Sequence, residues 1–232
     1  MGWPWMRKPR ASWHLRSRDN RRMRVDIWSD IVCPWCYVGK RRFEKALAQF
    51  GDCHKVEIVH RSFQLNPAAP RDSTSSRREM LMKKYRLSAE QVVEMDKRMT
   101  QTAAAEGLDF NLEGTLTGNT FDAHQLVHLA RAHGLQDAVV ERLFRAYFTE
   151  QRSVFDPKEL AALAADAGLD RDEAAAALCD NRYAEAVQAD IDLARDIGAT
   201  GVPLFVFDKR YGTSGAQAPE VFLDALHQSV GA

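Results

Sequence analysis

The sequence predicts an α/β protein in which a small sheet is interrupted by a long helical insertion. Strand patterns occur only near the two ends of the chain, whereas nearly every signal between them is helical. The element order is therefore strand, helix, strand, insertion, strand, strand, helix. We expect a split domain formed by residues 23–66 and 199–232, and a helical insertion domain formed by residues 67–198.

The first half of the split domain begins with a short apolar strand at Val25–Trp28. A helix is predicted over Tyr37–Phe50, because its apolar residues recur at helical spacing and Gly51 ends it. The alternating, β-branched run Val56–Phe63 predicts a second strand, which the segment Asn66–Pro70 breaks.

Cap residues and glycines set the bounds of the helices in the insertion. Ser88 and Gln91 form a capping box at the start of one helix, which ends at Gly107. The other predicted helices begin near Thr120, Gln136, Asp156, Arg171 and Arg182, and end near Gly134, Thr149, Gly168, Cys179 and Gly198.

The last part of the chain supplies two strands and a helix. Strand character returns at Val202–Phe207, and Asp208–Arg210 turns the chain into a short strand at Tyr211–Thr213. Pro219 then starts a helix whose apolar residues share one face. These elements complete the split domain.

The most informative motif is Cys33-Pro34-Trp35-Cys36, which lies where the first strand gives way to the first helix. Backbone N–H groups at a helix N-terminus are unpaired, and together with the helix dipole they favour a thiolate at Cys33. Cys36 lies one helical turn further on, close enough to form a disulfide with Cys33 and so release a bound substrate. The spacing predicts that Cys33 is the nucleophile and Cys36 the resolving cysteine.

Two other uses of this motif are less consistent with the sequence. A tetrahedral zinc site needs two further ligands, and the chain has no second Cys-x-x-Cys and no histidine pair closely placed beside a cysteine. A structural disulfide between adjacent helical turns would close a very short loop and restrain little of the unfolded chain. We therefore expect redox chemistry and no metal site.

Length and composition are those of a chain that folds without disulfides. The 232 residues are 45% hydrophobic, which is enough to bury a full core. No uninterrupted apolar stretch is long enough to span a membrane. A reducing cytoplasm is the expected compartment, and there a Cys-x-x-Cys pair is more often catalytic than structural.

The first 22 residues form a basic extension. They contain seven basic residues and one acidic residue, which leaves 25 basic against 31 acidic residues in the rest, from 32 of each overall. The body is mildly acidic and offers no general surface for nucleic acid. The extension lacks the apolar run of a secretory signal and has no amphipathic period, so we expect it to be disordered.

Pro203 occupies an unusual place, because proline removes a hydrogen-bond donor and is normally confined to the start or edge of a strand. Thr200-Gly201-Val202-Pro203 before an apolar strand, together with the upstream strand, cysteine motif and helix, resembles the thioredoxin superfamily. The resemblance implies a cis Val202–Pro203 peptide bond beside the cysteine pair. It also implies that the Val202 backbone is presented to an extended substrate.

Four separated stretches are similar to the FrnE-like branch of the DsbA-type oxidoreductases, namely residues 25–46, 119–124, 200–203 and 214–217. This resemblance implies a DsbA-like thioredoxin fold interrupted by a helical domain. It also implies dithiol–disulfide oxidoreductase activity, with protein disulfide isomerase activity as a further option. No cofactor is implied beyond the redox-active cysteine pair, and glutathione is an optional co-substrate.

The expected partners are thiols and disulfides, either of proteins or of low-molecular-weight compounds. We expect no binding to nucleic acid or to membranes. The chain is expected to be a monomer or a homodimer. We expect Pro34, Trp35, Val202 and Pro203 to contact the substrate. Trp35 stands where periplasmic DsbA proteins have histidine, and the sequence shows no export signal. Both departures argue against a strongly oxidising role.

Two other functions stay open on the sequence. Relatives resembling 2-hydroxychromene-2-carboxylate isomerase and kappa-class glutathione transferase share the helical insertion and the region of residues 119–124, bind glutathione and usually have a serine-based site. A thioredoxin-fold binding module would hold a peptide at the same edge without turnover. Cys36 argues against both, because neither function needs a resolving thiol.

Five other residues are weaker candidates. His124 and His128 have a metal-pair spacing, but no further ligand accompanies them, and we expect them at the helix surface or in a groove. Asp30 lies three residues before Cys33. Either it tunes the pKa of Cys33 or relays a proton there, or it only turns the chain from the strand into the helix. Cys53 is expected to be exposed on a turn, and Cys179 to be buried as a small apolar side chain.

Overall fold

The computed structural model describes residues 22–52 and 55–230. Its strands are β1 (Met23–Ser29), β2 (Val56–Ser62), β3 (Ser75–Ser76), β4 (Leu116–Thr117), β5 (Leu204–Phe207) and β6 (Tyr211–Ser214). Its helices are α1 (Pro34–Gln49), α2 (Arg77–Tyr85), α3 (Ala89–Ala105), α4 (Phe121–Ala132), α5 (Gln136–Phe148), α6 (Pro157–Asp166), α7 (Arg171–Cys179), α8 (Ala184–Asp196) and α9 (Pro219–Val230). Helices α2 to α8 all fall between β2 and β5, which confirms the predicted mixed α/β fold with a helical insertion.

The main sheet joins both ends of the chain in the order β2-β1-β5-β6. β1 lies in the centre, parallel to β2 and antiparallel to β5, and Ile27 of β1 is opposite Phe205. β5 pairs antiparallel with β6. A parallel pair of strands needs a crossover connection, which α1 provides between β1 and β2. The carboxyl end of β1 therefore leads directly to the N-terminus of α1, where the cysteine motif lies.

Most predicted elements agree with the structure to within a few residues. The capping box of Ser88 and Gln91 is formed at the start of α3. Two starting points next to the cysteine motif and the Pro203 loop differ from the prediction. α1 already begins at Pro34, a residue type favoured at the first helical position because it has no N–H to leave unpaired. β5 begins only at Leu204, where pairing with β1 starts.

Helix α2 and the short β3–β4 pair were not predicted. The Ser76 hydroxyl accepts a hydrogen bond from the Glu79 amide and caps α2. This helix buries only Arg77 and Leu81, and three of its four apolar residues are consecutive, at positions 80–82, so its sequence shows no helical period. β3 and β4 are two residues long each, which is too short for an alternating pattern.

Helix α1 is packed on two sides, and this packing fixes the cysteine motif at its N-terminus. Phe43 packs on Phe205 of the sheet and Phe222 of α9, with ring centroids 5.4 and 5.7 Å apart. Tyr37 stacks on Phe144 of α5 with centroids 4.9 Å apart. Aromatic pairs at such distances add stability beyond the burial of their area. α1 therefore bridges the core of the sheet and the core of the insertion.

A buried lysine strengthens the contact between α1 and α5. The Lys40 ammonium pairs with Glu44, with Glu141 at 2.9 Å and with Asp137 at 3.2 Å. Burial alone would lower the pKa of Lys40, but the charges of the three carboxylates raise it above its ordinary value. Lys40 is therefore held in its charged form, and the ion pairs link the two helices.

Asp190 of α8 ties the insertion to the sheet. Its carboxylate accepts hydrogen bonds from the Ser62 amide at 3.0 Å and the Arg61 guanidinium at 2.6 Å. The same carboxylate lies 3.0 Å from His128 Nε2, and the Asp190 carbonyl accepts a hydrogen bond from the Trp28 indole. Burial alone would raise the pKa of Asp190, but these hydrogen bonds and the guanidinium charge hold it below its ordinary value.

Asp190→Ala is expected to lower the free energy of unfolding by about 1–3 kcal/mol at neutral pH, because it leaves the buried Ser62 amide without an acceptor and removes one of the two carboxylates that pair with Arg61. The lowered pKa in the folded state means that this contribution is present above the unfolded value of about 3.9 and is lost as pH falls through the folded value. Denaturant unfolding of both proteins from neutral pH down to acid pH measures it. The matched control, Asp196→Ala at an exposed position of α8, should change stability by less than about 0.5 kcal/mol. Equal effects of the two substitutions would contradict the assignment.

Candidate functional site

Cys33 is the N-cap residue of α1. Its amide donates to the Asp30 carbonyl at 3.0 Å, and its extended backbone (φ −90°, ψ 111°) leads into Pro34 at the first helical position. The Cys36 amide donates to the Cys33 carbonyl at 3.0 Å and closes the first turn. The Cys33 side chain therefore lies at the positive end of the helix dipole, as its place in the sequence predicted.

The loop before β5 brings a second part of the chain to the same place. The Val202–Pro203 peptide bond is cis, which confirms the prediction from the sequence. The Cys33 thiol donates to the Val202 carbonyl, with 3.7 Å between sulfur and oxygen. Pro203 is buried, whereas Val202 is half-buried and faces the cavity beside the cysteine motif. The two segments meet although they are 169 residues apart in sequence.

Gly39 allows this close approach, and the sequence analysis did not single it out. A Cβ atom at this position of α1 would lie 3.0 Å from Pro203 Cγ, which is tighter than ordinary van der Waals contact. Glycine inside a helix costs about 1 kcal/mol relative to alanine, so its presence in α1 was a signal of close packing. The small residue lets α1 lie directly against the Pro203 ring.

The two cysteines differ in their surroundings, although both are free thiols with little exposed surface. Cys33 lines the cavity next to the motif, whereas Cys36 lies behind it with 2% of its surface exposed. Burial raises the pKa of the Cys36 thiol well above its ordinary value. The hydrogen bond with Cys33, the charge on Cys33 and the charge on Asp30 add to the rise. Cys36 is therefore a protonated thiol at neutral pH in the reduced protein.

The motif opens onto one cavity of about 1630 Å³. Trp35 projects at its edge with 46% of its surface exposed, and the neighbouring Pro34 is half-buried. The far wall is formed by α2 and α3, and its apolar part consists of Met80, Leu81, Tyr85, Leu87, Met95 and Met99. The structure thus brings together all six residues that the sequence analysis placed in the site, and adds a wall from the helix that was not predicted.

The expectation that His124 and His128 lie at the surface or in a groove is wrong. Both side chains are buried, because α4 runs through the centre of the insertion. His128 Nε2 lies 3.2 Å from the Ser62 hydroxyl, whereas His124 Nε2 lies 2.9 Å from the Phe63 carbonyl. The two rings therefore face different partners. Among residues 22–52 and 55–230, no group of three or more histidine, cysteine or carboxylate side chains is placed to hold a metal ion.

Cys179, expected to be buried, is exposed at the end of α7, since the buried face of that helix carries Ala174, Ala177 and Leu178 instead. Cys53 lies outside the described residues, and so does the basic extension apart from Arg22. In the part of the chain that the structure describes, no helix has the length and apolar character needed to cross a membrane.

Comparison with protein families gives one assignment over nearly the whole chain. The model of the DSBA-like thioredoxin domain matches residues 24–227. The crystal structure of a probable DsbA oxidoreductase from Streptomyces coelicolor is 49% identical, with a TM-score of 0.86 over 90% of each chain. The cysteine motif and the Val202–Pro203 loop both fall inside the matched range.

Two more distant proteins are similar over nearly all of their length. The uncharacterized protein YwbO of Bacillus subtilis is 25% identical over 208 residues, which are 87% of this chain and 94% of that protein. The cytosolic disulfide reductase DsbM from Pseudomonas aeruginosa, solved with GSH, is 16% identical with a TM-score of 0.63. That match covers 90% of this chain and all of the other, and it shows a shared fold.

Proposed function

Because the chain belongs to the DsbA-like thioredoxin domain family, we propose that it is a thiol–disulfide oxidoreductase whose reacting groups are Cys33 and Cys36. The observation that carries this proposal is the unequal placement of the two thiols. Cys33 lies at the N-terminus of α1 and lines an open cavity, whereas Cys36 is buried one turn behind it. A nucleophile needs access and a resolving cysteine needs only proximity to the nucleophile.

The reaction has two exchange steps. The Cys33 thiolate attacks one sulfur of a substrate disulfide, that S–S bond breaks, and the other substrate sulfur leaves as a thiolate that takes a proton from water. Cys36 then gives up its proton and attacks the Cys33 sulfur, which forms the Cys33–Cys36 disulfide and releases the second substrate thiol. The substrate gains two electrons and the cysteine pair loses two. A dithiol or glutathione returns the pair to the reduced state.

The substrate is proposed to lie along the cavity edge formed by Trp35, Pro34, Val202 and Pro203. The Val202 carbonyl is within reach of the Cys33 sulfur, so a chain extended along this backbone would bring its disulfide to the nucleophile. The cavity is large enough for a polypeptide segment as well as for a small disulfide. We therefore propose protein and low-molecular-weight disulfides as substrates, with disulfide isomerisation as an additional activity.

The finer assignment is also a proposal. We place the chain in the FrnE-like branch on the four stretches that carry that resemblance, and in the cytoplasm, where glutathione is available as a co-substrate. The DsbM structure, whose title describes a cytosolic reductase with GSH, supports the compartment and the co-substrate by analogy of fold alone.

A glutathione-dependent isomerase or transferase, or a binding module without turnover, is a weaker account of the same site. Either function would leave Cys36 without a role, because only Cys33 borders the cavity. A buried thiol one helical turn behind the nucleophile, with its amide bonded to the Cys33 carbonyl, is the arrangement that resolution of a mixed disulfide requires.

Reduction of insulin by dithiothreitol tests the proposal. The wild-type protein is expected to accelerate precipitation of the insulin B chain, and Cys33→Ser is expected to bring the rate down to that of dithiothreitol alone. Cys179→Ser, which removes an exposed cysteine of α7, is the matched control and should keep the wild-type rate. A wild-type protein without any acceleration would contradict the proposed function.

A further inference from the structure

Helix α2 and the residue after it, residues 77–86, form a basic patch on a protein that is otherwise acidic. This segment contains five basic residues and one acidic residue. The rest of the chain from residue 23 onward contains 20 basic and 30 acidic residues. A negatively charged partner would therefore be repelled by the body of the protein and attracted at the basic patch.

Most of the positive charge in the basic patch is not neutralised within the protein. Four of its side chains are exposed and form no ion pair with a described carboxylate, namely Arg78, Lys83, Lys84 and Arg86. Lys84 Nζ lies 5.6 Å from the centre of the Tyr85 ring, a contact that leaves its charge in place. These charges are available to a partner in solution.

The fifth basic residue anchors the helix that carries the others. Arg77 is buried and bound to Asp96 of α3 by three hydrogen bonds of 2.9–3.0 Å. The Arg77 amide also donates to the Thr115 carbonyl at 3.2 Å. Bidentate contacts between arginine and a carboxylate are strong and geometrically specific. The start of α2 is therefore fixed against the insertion.

The basic patch reaches the cavity of the cysteine motif. Lys83 and Lys84 line the same cavity as Cys33, on the wall that α2 and α3 form. Methionines lie beside them on this wall, and methionine side chains adapt to differently shaped partners. The cavity of about 1630 Å³ exceeds the roughly 300–1,000 Å³ of typical small-molecule sites. An occupant that extends from Cys33 to the lysines is therefore a polypeptide segment.

The carboxylates of the cavity do not cancel this charge at the exposed wall. Four of them line it, namely Asp30, Glu79, Glu94 and Asp96. Asp96 and Glu94 are paired with arginines of α2 and α3, and Asp30 is buried beside the cysteines. Glu79 lies in the first turn of α2, where the helix dipole favours negative charge. The exposed wall thus carries two unpaired lysines and one unpaired glutamate among the described residues.

A nucleic acid fits the basic patch less well than an acidic polypeptide. Nucleic acids bind through many phosphates in a row, and a long polyanion would extend over the acidic body of the protein. The patch spans only one short helix, and its inner side is the apolar wall of the cavity. Carboxylates scattered along a polypeptide match separate lysines among apolar side chains.

We propose that Lys83 and Lys84 select protein substrates in which acidic residues lie close to the disulfide. This inference rests on the proposed dithiol exchange and names a substrate class for it. A substrate chain that extends along Val202 brings its disulfide to Cys33, and its carboxylates a few residues away reach the lysines of the opposite wall. The exchange steps are the same for every substrate, and the charges raise the rate of productive association.

Three synthetic peptides test the proposal. They contain the same internal disulfide, flanked by glutamates in one, glutamines in the second and lysines in the third. The rate constant for their reduction by the reduced protein is measured by acid quenching and chromatography. At about 10 mM salt the acidic peptide is expected to react about tenfold faster than the basic one, with the neutral peptide between them, and this ratio should approach one at about 0.5 M salt.

Charge variants locate the preference on α2. Lys83→Gln with Lys84→Gln should bring the ratio of acidic to basic peptide close to one, and Lys83→Glu with Lys84→Glu should reverse it. The matched control is Lys158→Gln with Arg171→Gln, which removes two exposed positive charges from α6 and α7. This control should keep the wild-type ratio. A glutamine pair at α2 that keeps the ratio, or a control that loses it, would overturn the proposal.

The failure of the inference can be told apart from the failure of the proposed function. Equal rates of the wild-type protein with all three peptides would overturn the inference and leave the dithiol exchange in place. A wild-type protein that reduces none of the peptides would overturn the proposed function itself. Binding of a single-stranded DNA oligonucleotide that Lys83→Gln with Lys84→Gln abolishes, without any peptide preference, would assign the basic patch to nucleic acid and overturn the inference.

Discussion

Replacing Cys36 by serine is expected to convert the protein from a turnover catalyst into a trap for its substrates. The Cys36→Ser variant keeps the Cys33 nucleophile at the end of α1 but lacks the thiol that attacks the mixed disulfide. Each molecule should form one covalent complex and then stop. Multiple-turnover reduction of insulin should fall to the background rate. Covalent complexes that are cleaved by dithiothreitol should accumulate and be visible on non-reducing gels.

Cys36→Ala and Cys33→Ser complete this experiment. The alanine variant should trap as well as the serine variant, because trapping depends on the missing thiol and not on the hydroxyl. Cys33→Ser should form no complexes. A Cys36→Ser protein with full activity and no trapped complexes would indicate the glutathione-dependent mechanism, in which Cys36 has no role.

Alkylation of the reduced protein is expected to label Cys33 and leave Cys36 unmodified at neutral pH. Thiolates react and thiols do not, and the pKa of Cys36 is raised by burial, by its hydrogen bond with Cys33 and by the nearby negative charges. Labelling of Cys36 should begin only in strongly alkaline solution. Iodoacetamide modification followed by mass spectrometry of the peptides measures both rates as a function of pH.

The Cys53→Ser, Cys179→Ser double variant is the background for this measurement. The chain has four cysteines, and this variant keeps only the two of the motif, Cys33 and Cys36. In that background Cys33→Ser should abolish fast labelling and Cys36→Ser should preserve it. Preferential labelling of Cys36 would reverse the assignment of nucleophile and resolving cysteine.

The helices, the main strands and the cysteine motif could be predicted because their signals are local. Caps such as Ser88 and periodic apolar residues reflect interactions within a few positions of the chain. The meeting of Cys33 with Val202 was accessible only through the resemblance to a known fold, since no local pattern joins residues 169 positions apart. Helix α2 was missed because three of its four apolar residues are consecutive, at positions 80–82, and do not recur at helical spacing.

The surroundings of individual polar residues could not be predicted. The spacing of His124 and His128 places them on one helix face, but it does not show that this face is covered by β2 and its following loop. The same holds for Asp30, whose two oxygens have different surroundings in the fold. Cys179 was assigned to the core by its apolar neighbours, but α7 buries Ala174, Ala177 and Leu178 and leaves Cys179 exposed.

The most direct test of the redox pair is a titration of the protein in glutathione buffers of increasing oxidised fraction. The oxidation state of the cysteines in the Cys53→Ser, Cys179→Ser background is measured by alkylating free thiols and determining the mass of the intact protein by mass spectrometry. We expect a single two-electron transition in which Cys33 and Cys36 lose their thiols together, with a midpoint between roughly −270 and −120 mV, the range of comparable dithiol proteins. Accumulation of a stable glutathione adduct on Cys33, with Cys36 still a free thiol across the titration, would contradict it.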